Sequence, residues 1–324
     1  MPFFVVLFFI PFTLFSVSVT EKSYEPTQEE YLPWFTGPLI AGSGKTCPKN
    51  HYVLQPYLSV FFSNSLYNDS WKSTPTSSNI TIQPSLLYLF GITPWMDCQV
   101  VASANSNFCT SSVDTRLSDT SLNVGFQLLT DQRKTLTPDL RIVFKQDFPC
   151  GHYKNLNPSK NGTDISGAGF YRIGIATNFQ KLFYFNKNLL RGRFNITYKL
   201  SPTTSIEGYS VFGGGYGTSG HIDPVHYYSA DVAFEYLLTQ NITFAIDIFY
   251  EGQTKGKFKG TLGVDNHGKK ALVSSPNFQR LSLAPALEYN FSNDVGIIAG
   301  SWFTVAGKNT PQFASGVISL NYYH

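Results

Sequence analysis

Charged side chains recur at alternate positions in several stretches of this sequence, a spacing that suits a polar channel or binding surface. The cations lie between residues 141 and 199: Arg141, Lys145, Arg172, Arg191, Arg193 and Lys199. The carboxylates follow between residues 231 and 288: Asp231, Glu235, Asp247, Glu251 and Glu288. Because successive side chains of a strand point to opposite faces, each group is expected on one face of a sheet. Asp147 and Arg280 are the exceptions of opposite sign.

Hydrolysis would require a serine, a histidine within hydrogen-bond reach of it, and a third group that orients the histidine. His226 and Ser229 form the best candidate pair in the chain. Their odd spacing places them on opposite faces of one strand, so they diverge. We therefore predict no catalytic residues and no enzyme activity, with an outer-membrane lipid hydrolase kept as an alternative.

The four cysteines are candidates for disulfides rather than for a metal site. The chain has no CxxC motif, so neither a metal nor a cofactor is expected. An even number of cysteines in an exported chain is typical of disulfides. Cys47 and Cys98 fall on one side of the fold predicted below, and Cys109 and Cys150 on the other. We predict the pairs Cys47–Cys98 and Cys109–Cys150.

Nucleotides and nucleic acids are poor candidate ligands. Residues 42–46 read GSGKT, but a phosphate-binding loop requires a glycine where this chain has Leu39. No strand-like pattern precedes this run and no helical pattern follows it. The net charge of +3 is too small to indicate binding to nucleic acid.

Alternating apolar and polar residues define the elements that would position these charges. In the stretch 225–251, Phe234 and Ile246 belong to an apolar face, whereas Asp231 and Glu235 belong to a polar one. Similar stretches occur at 52–62, 80–90, 99–105, 122–128, 140–148, 171–180, 190–200, 278–291, 295–305 and 314–323. With 225–251 counted as a hairpin, the sequence predicts about twelve strands.

The connections between these stretches alternate in length until the last one, 306–312, which is short where a long one would be due. Short ones lie at 91–97, 130–138, 181–188, 239–241 and 292–294, and longer polar ones at 63–79, 106–120, 149–167, 201–224 and 252–277. Outer-membrane barrels have short periplasmic turns and long external loops. We therefore predict an all-β fold, a closed antiparallel transmembrane β-barrel of about twelve strands, with a soluble β-sandwich as the alternative.

Composition and the first residues agree with export. The 324 residues are 42% hydrophobic, 16% aromatic and only 14% charged, with a mean hydropathy of −0.09. Residues 1–18 form a short apolar block that ends in small residues, as a secretory signal peptide does. We predict a signal peptide at 1–18, a periplasmic N-terminal lead at 19–50, and an integral barrel of the bacterial outer membrane at 51–324.

Several short motifs resemble one family of bacterial outer-membrane proteins. They are YLPWFTGPLIA from Tyr31, LQPY from Leu54, GITPWMD from Gly91 and LAPALEY from Leu283. In these the chain resembles the meta-pathway phenol-degradation proteins, which are related by fold to hydrophobic-compound transporters. The resemblance implies a barrel that takes up aromatic or other apolar small molecules, and it supplies no catalytic residues.

The expected function is passive transport of small, apolar or aromatic molecules through a narrow lumen lined by one basic and one acidic wall. The charges could instead pair across the interior and plug the barrel, since buried charges need partners. A structural or adhesin-like surface barrel is a further alternative. The expected partners are membrane lipid, lipopolysaccharide and the barrel-assembly machinery, and no nucleic acid is expected.

Overall fold

The computed structural model describes residues 34–109, 112–132, 135–185 and 188–324, and the predicted signal peptide at 1–18 lies outside them. Within these ranges, no helix is long and apolar enough to cross a membrane. The strands are β1 (Tyr52–Tyr67), β2 (Ser73–Thr93), β3 (Met96–Cys109), β4 (Ser112–Leu117), β5 (Thr120–Leu129), β6 (Asp139–Phe148), β7 (Arg172–Phe185), β8 (Asn188–Ser201), β9 (Thr204–Glu207), β10 (Ser219–Ile222), β11 (Val225–Leu237), β12 (Ile242–Gln253), β13 (Phe258–Thr261), β14 (Phe278–Asn290), β15 (Val295–Lys308) and β16 (Thr310–Tyr323).

Twelve of the described strands close into an antiparallel barrel, which confirms the predicted fold class. They are β1, β2, β3, β5, β6, β7, β8, β11, β12, β14, β15 and β16. The first and last strands complete the ring, with a register that runs from Val53 opposite Tyr323 to Tyr67 opposite Thr310. Closure leaves the barrel without an unpaired edge.

The hairpin β11–β12 shows which way the two faces point. Phe234 is 41% exposed, whereas the next residue, Glu235, is 0% exposed. On β12, Phe244 is 39% exposed and Thr243 is 0% exposed. Apolar side chains therefore cover the outside and polar ones line the interior, the reverse of a soluble protein. Such an exterior is suited to contact with the hydrocarbon chains of lipid.

The first residue of β1 and the last of β16 lie at one end of the barrel, the turn end, together with the short connections β2–β3, β7–β8, β11–β12 and β14–β15. The long connections lie at the other end, the loop end. The single residue between β15 and β16 also lies at the loop end and is the exception. Two connections predicted as loops are largely strand. The chain between 63 and 79 extends β1 and begins β2, and the chain between 106 and 120 contains the pairing of β3 with β4. Backbone pairing continues past the membrane-facing part, and the apolar alternation stops there because these side chains face water.

Three loop-end segments, 149–171, 202–224 and 254–277, form a packed cap. It contains a small sheet in the order β13–β10–β9 and an apolar core centred on Phe170, Ile206 and Ile222. The cap is tied to the barrel strands by Asn107, which donates to the carbonyl of Thr163 at 3.0 Å.

Asp119, in the connection between β4 and β5, fixes a further part of the cap. Its carboxylate accepts from the backbone N–H of Gly151 at 3.0 Å and from that of Ala168 at 2.8 Å. Burial raises the pKa of Asp119 above its ordinary value, and the two N–H donors partly offset that shift. The carboxylate therefore anchors both ends of the segment 149–171.

Candidate functional site in the barrel lumen

Residues 34–47, here called the lumen segment, lie inside the barrel. Asp247 on β12 accepts hydrogen bonds from the backbone N–H groups of Leu39 at 3.1 Å and Ala41 at 2.9 Å. Glu288 on β14 accepts from the N–H of Thr36 at 2.7 Å. Carboxylates of the predicted acidic wall thus hold the chain by its backbone.

Side chains of β7 and β8 bind the carbonyl groups of the same segment. Arg193 donates to the carbonyl of Ala41 at 2.7 Å, and Asn195 donates to that of Gly42 at 3.0 Å. Asn178 donates to the carbonyl of Ser43 at 3.1 Å. An irregular chain inside a barrel must satisfy its backbone polar groups with side chains, and these residues do so.

The segment leaves the lumen at the turn end. Gln127 accepts from the N–H of Thr46 at 2.6 Å. Asp97 accepts from the N–H of Cys47 at 2.9 Å and from the guanidinium of Arg141 at 2.5 Å. The GSGKT run at 42–46 therefore crosses the interior.

The predicted periplasmic lead at 19–50 would lie outside the barrel. The structure instead places residues 34–47 in the lumen, so that expectation is corrected for this part. The reason is that polar side chains of six separate strands, β3, β5, β7, β8, β12 and β14, bind its backbone, and these partners are far away in sequence. Thr36 and Glu288, for example, are 252 residues apart.

Glycine allows the lumen segment to approach the wall closely. A Cβ atom on Gly44 would lie 2.6 Å from the Cβ of Gln180, which is too near for a side chain. Gly37 has a φ of +112°, and a Cβ there would lie 3.3 Å from a guanidinium nitrogen of Arg193. Both positions therefore favour glycine.

Glu235 is the centre of an ion-pair cluster where the basic and acidic walls meet. It accepts from the Nε of Arg191 at 2.6 Å and lies 3.2 Å from the Nε of Arg193. The guanidinium of Arg191 also lies 4.1 Å from the centre of the Phe35 ring, in cation–π contact. A fully buried carboxylate needs such partners, because desolvation of a single charge is costly.

A second polar layer lies nearer the loop end. Lys199 on β8 forms an ion pair with Asp147 on β6 at 2.6 Å, across the intervening strand β7. Arg280 pairs with Glu251, which also accepts from the hydroxyl of Tyr227 at 2.9 Å. Arg172 donates to the side chain of Gln253 at 2.9 Å. The two exceptions to the sign pattern, Asp147 and Arg280, thus pair with residues of the opposite sign.

The remaining predicted lumen residues are Lys145 and Asp231. Both line a cavity of about 280 Å³ on the loop side of the lumen segment. A second cavity of about 490 Å³ lies beside the segment and reaches Asn321 and Tyr323 at the turn end. Ile40, Gly42 and Arg141 line both cavities, so the segment divides the lumen without filling it.

An aromatic cluster occupies the wall formed by β1, β12, β15 and β16. The ring of Trp302 lies 5.0 Å from that of Phe313, 5.8 Å from that of Phe61 and 6.3 Å from that of Phe249. Edge-to-face packing of this kind stabilises aromatic pairs. The guanidinium of Arg280 lies 4.8 Å from the Phe313 ring. The lumen therefore has an apolar side as well as a charged one.

Neither predicted disulfide is present, because all four cysteines are free. Cys98 follows the lumen-facing Asp97 and so points to the outer face of β3, whereas Cys47 lies in the lumen, and the barrel wall separates them. Cys109 ends β3, and Cys150 follows β6 as an exposed residue. Burial, together with the charge of Asp97, raises the pKa of the Cys47 thiol to about 11.

His226 and Ser229 lie on opposite faces of β11. The imidazole of His226 contacts the hydroxyl of Tyr198 at 2.5 Å on the outer face, while Ser229 lines the lumen cavity of about 280 Å³. They do not form a hydrolytic pair. No group of three or more potential metal ligands occurs in the part of the chain that the structure describes.

Sequence reasoning missed the uncharged amides that bind the lumen segment. These amides are Gln127, Asn178 and Asn195. They lie on the same strand faces as the charged side chains, and apolar residues occupy the positions between them. Their place on the polar face was the available signal. Asp97 was assigned to a turn, because β3 was expected to begin only at Gln99. Strand ends near a turn are the part of the pattern that is most difficult to place.

No protein-family model and no curated protein sequence matches the chain. Among solved structures, an outer membrane channel from Pseudomonas putida F1 is similar with a TM-score of 0.66, at 9% identity over 88% of this chain and 100% of that one. The autotransporter NalP translocator domain from Neisseria meningitidis has a TM-score of 0.43, at 9% identity over 83% of this chain and 88% of that one.

The toluene transporter TodX from Pseudomonas putida has a TM-score of 0.37, at 10% identity over 84% of this chain and 89% of that one. The first similarity supports the fold alone, and no argument rests on the two weaker ones. Membership of the phenol-degradation family therefore stays a prediction. What the geometry and the first comparison together establish is a closed, twelve-stranded barrel of the outer-membrane type.

Proposed function

We propose that this chain is an outer-membrane channel for the passive uptake of small apolar or aromatic molecules through a narrow, charged lumen. The observation that carries the proposal is the pair of cavities, about 490 and 280 Å³, left beside the lumen segment in a closed barrel. A barrel of twelve strands lies between the filled eight-stranded and the open sixteen-stranded cases. Small solutes therefore fit the remaining space better than large ones.

The exterior supports a location in the outer membrane. Exposed apolar residues such as Phe234, Phe244 and Leu287 would contact acyl chains, and exposed aromatics such as Trp95 and Tyr289 at the turn end suit an interfacial belt. Lipopolysaccharide would then surround the loop end, and the barrel-assembly machinery would insert the chain. The similar structure from Pseudomonas putida F1 is itself described as an outer membrane channel.

Liposome swelling tests the proposal directly. The full-length protein is reconstituted and challenged with phenol, with a monosaccharide and with a trisaccharide. We expect swelling to be fastest with phenol and absent with the trisaccharide, because the cavities are small and have an aromatic wall. Equal rates for all solutes, or no swelling above protein-free liposomes, would refute selective uptake.

The cap favours a second candidate, a surface-binding barrel. Its core of Phe170, Ile206, Phe212, Ile222 and Val225 gives the external segments a structure of their own. A protein whose only task is transport does not require such a packed cap. If cells with and without the protein take up phenol equally but differ in adhesion to a surface, this second function is favoured.

A further inference from the structure

We propose that the cavity of about 280 Å³ binds the carboxylate of a small aromatic acid, with Lys145 as the anion-binding residue. This inference rests on the proposed channel function, since it names a class of solute for the same lumen. The solute would place its carboxylate against β6 and its ring against β11 and β12.

Register places two lysines in one row, on either side of a glycine on the strand between them. Lys145 is opposite Gly174 on β7, and Gly174 is opposite Lys199 on β8. A Cβ on Gly174 would lie 2.6 Å from the Cγ of Lys199, so the lysine side chain lies over the glycine. Since neighbouring strands are about 4.8 Å apart, both ammonium groups reach the same part of the lumen.

The charges around Lys145 leave a local positive excess. No ion pair or side-chain hydrogen bond joins its ammonium to any residue in the described ranges. Asp147 interacts electrostatically with Lys145, but its carboxylate is already bound by Lys199 at 2.6 Å. Arg141, which lines the same cavity, is bound by Asp97. A cation that faces a cavity without a bonded counter-charge is suited to an anionic ligand.

Part of the cavity lining is aromatic. Tyr227 and Phe249 both line it, and Phe249 is part of the Trp302 cluster. Ligand cavities combine apolar walls with a few polar groups that fix orientation. A volume of about 280 Å³ lies just below the usual range for drug-sized ligands, so a single ring with a short acidic substituent is the appropriate size.

Asp231 lines the same cavity and would repel an anion placed beside it. It lies four residues beyond Tyr227 on β11, which corresponds to roughly 13 Å along the strand. Tyr227 is in the same register row as Lys199, Gly174 and Lys145. The anion site and Asp231 are therefore at different depths.

Binding of benzoate and of benzyl alcohol to the detergent-folded full chain, measured by calorimetry, tests the inference. Benzyl alcohol is the neutral control of similar shape. We expect benzoate to bind more tightly, and Lys145→Gln to weaken benzoate at least about tenfold, since a hydrogen bond to a charged group is lost. Lys145→Arg keeps the charge and should preserve most of the affinity. Lys257→Gln, on the exposed cap, should have no effect.

Equal affinities for the two ligands, no detectable binding of benzoate, or a benzoate affinity unchanged in Lys145→Gln would overturn the inference. Heat-modifiable gel mobility shows that each variant is folded. Benzoate binding without any swelling activity would preserve the anion site and refute the channel. Swelling by phenol without benzoate binding would support the channel and refute the anion site.

Discussion

At the scale of single residues, Asp247 has a role that its charge alone does not suggest. It is 0% exposed, and its carboxylate binds two backbone N–H groups of the lumen segment. Asp231 lies on the same polar face of the neighbouring strand and lacks such contacts among the described residues. The two aspartates therefore form a natural pair for mutation.

We expect Asp247→Ala to release the lumen segment, because each hydrogen bond to a charged group contributes about 1.5–3 kcal/mol. Single-channel conductance should rise and become noisier in this variant. Asp231→Ala serves as the matched control and should change conductance much less. The same effect in both variants would indicate a general loss of charge, not a loss of anchoring.

Cysteine reactivity reports on the same anchoring. The Cys47 thiol is buried, and its raised pKa of about 11 keeps it protonated at neutral pH, so it should react slowly with maleimide. Cys150 is exposed and should react first. Mass spectrometry of labelled peptides measures both, and Asp247→Ala should accelerate labelling of Cys47. Rapid labelling of Cys47 in the unaltered protein would contradict its place in the lumen.

At the scale of elements, alternation was sufficient to predict the strands. On β8, Phe194 and Ile196 face outward, and Arg193 and Asn195 face inward, as a period of two requires. The lumen segment could not be predicted in this way. It has no period, and its position depends on side chains from strands that are distant in sequence.

The strand ends and the positions of the cysteines also show how far the alternating pattern predicts the structure. Polar residues between 63 and 79 continue the β1–β2 ladder, although no apolar alternation marks them. Cys47 and Cys98 were assigned to one side of the barrel correctly, but the sequence could not show that the wall separates them. The alternating pattern of the strands predicts at which end of the barrel a residue lies. It does not predict where a segment without regular structure lies.

Replacement of residues 34–46 by a Gly/Ser sequence of equal length tests the lumen segment as an element. The replacement removes the side chains and the fitted backbone but keeps the chain length. We expect larger conductance and faster swelling with the trisaccharide, because the two cavities would merge. Unchanged size selectivity would show that the segment does not restrict the pore.

The outward face can be tested with one arginine. Phe244→Arg would place a charge on the lipid-facing side of β12 and should cost about 2–4 kcal/mol if the site is near the bilayer midplane. Leu272→Arg is the control, since Leu272 is 86% exposed on the cap. Denaturant unfolding in lipid vesicles measures both. Equal stability of the two variants would contradict a lipid environment for Phe244.

At the scale of the whole molecule, the fold combines a lipid-facing exterior, a polar lumen and a separate packed cap. The lumen segment and the ion pairs of Glu235 narrow the lumen, while the two cavities keep part of it open. The balance between these features determines whether the barrel conducts. We therefore expect a small, restricted pore.

Planar-bilayer recording of the purified full-length protein is the most direct measurement of this central claim. We expect discrete, small conductance steps, because cavities of about 490 and 280 Å³ remain beside the anchored segment. Recordings over a wide range of voltages with folded, heat-modifiable protein and no conductance step at any voltage would contradict it.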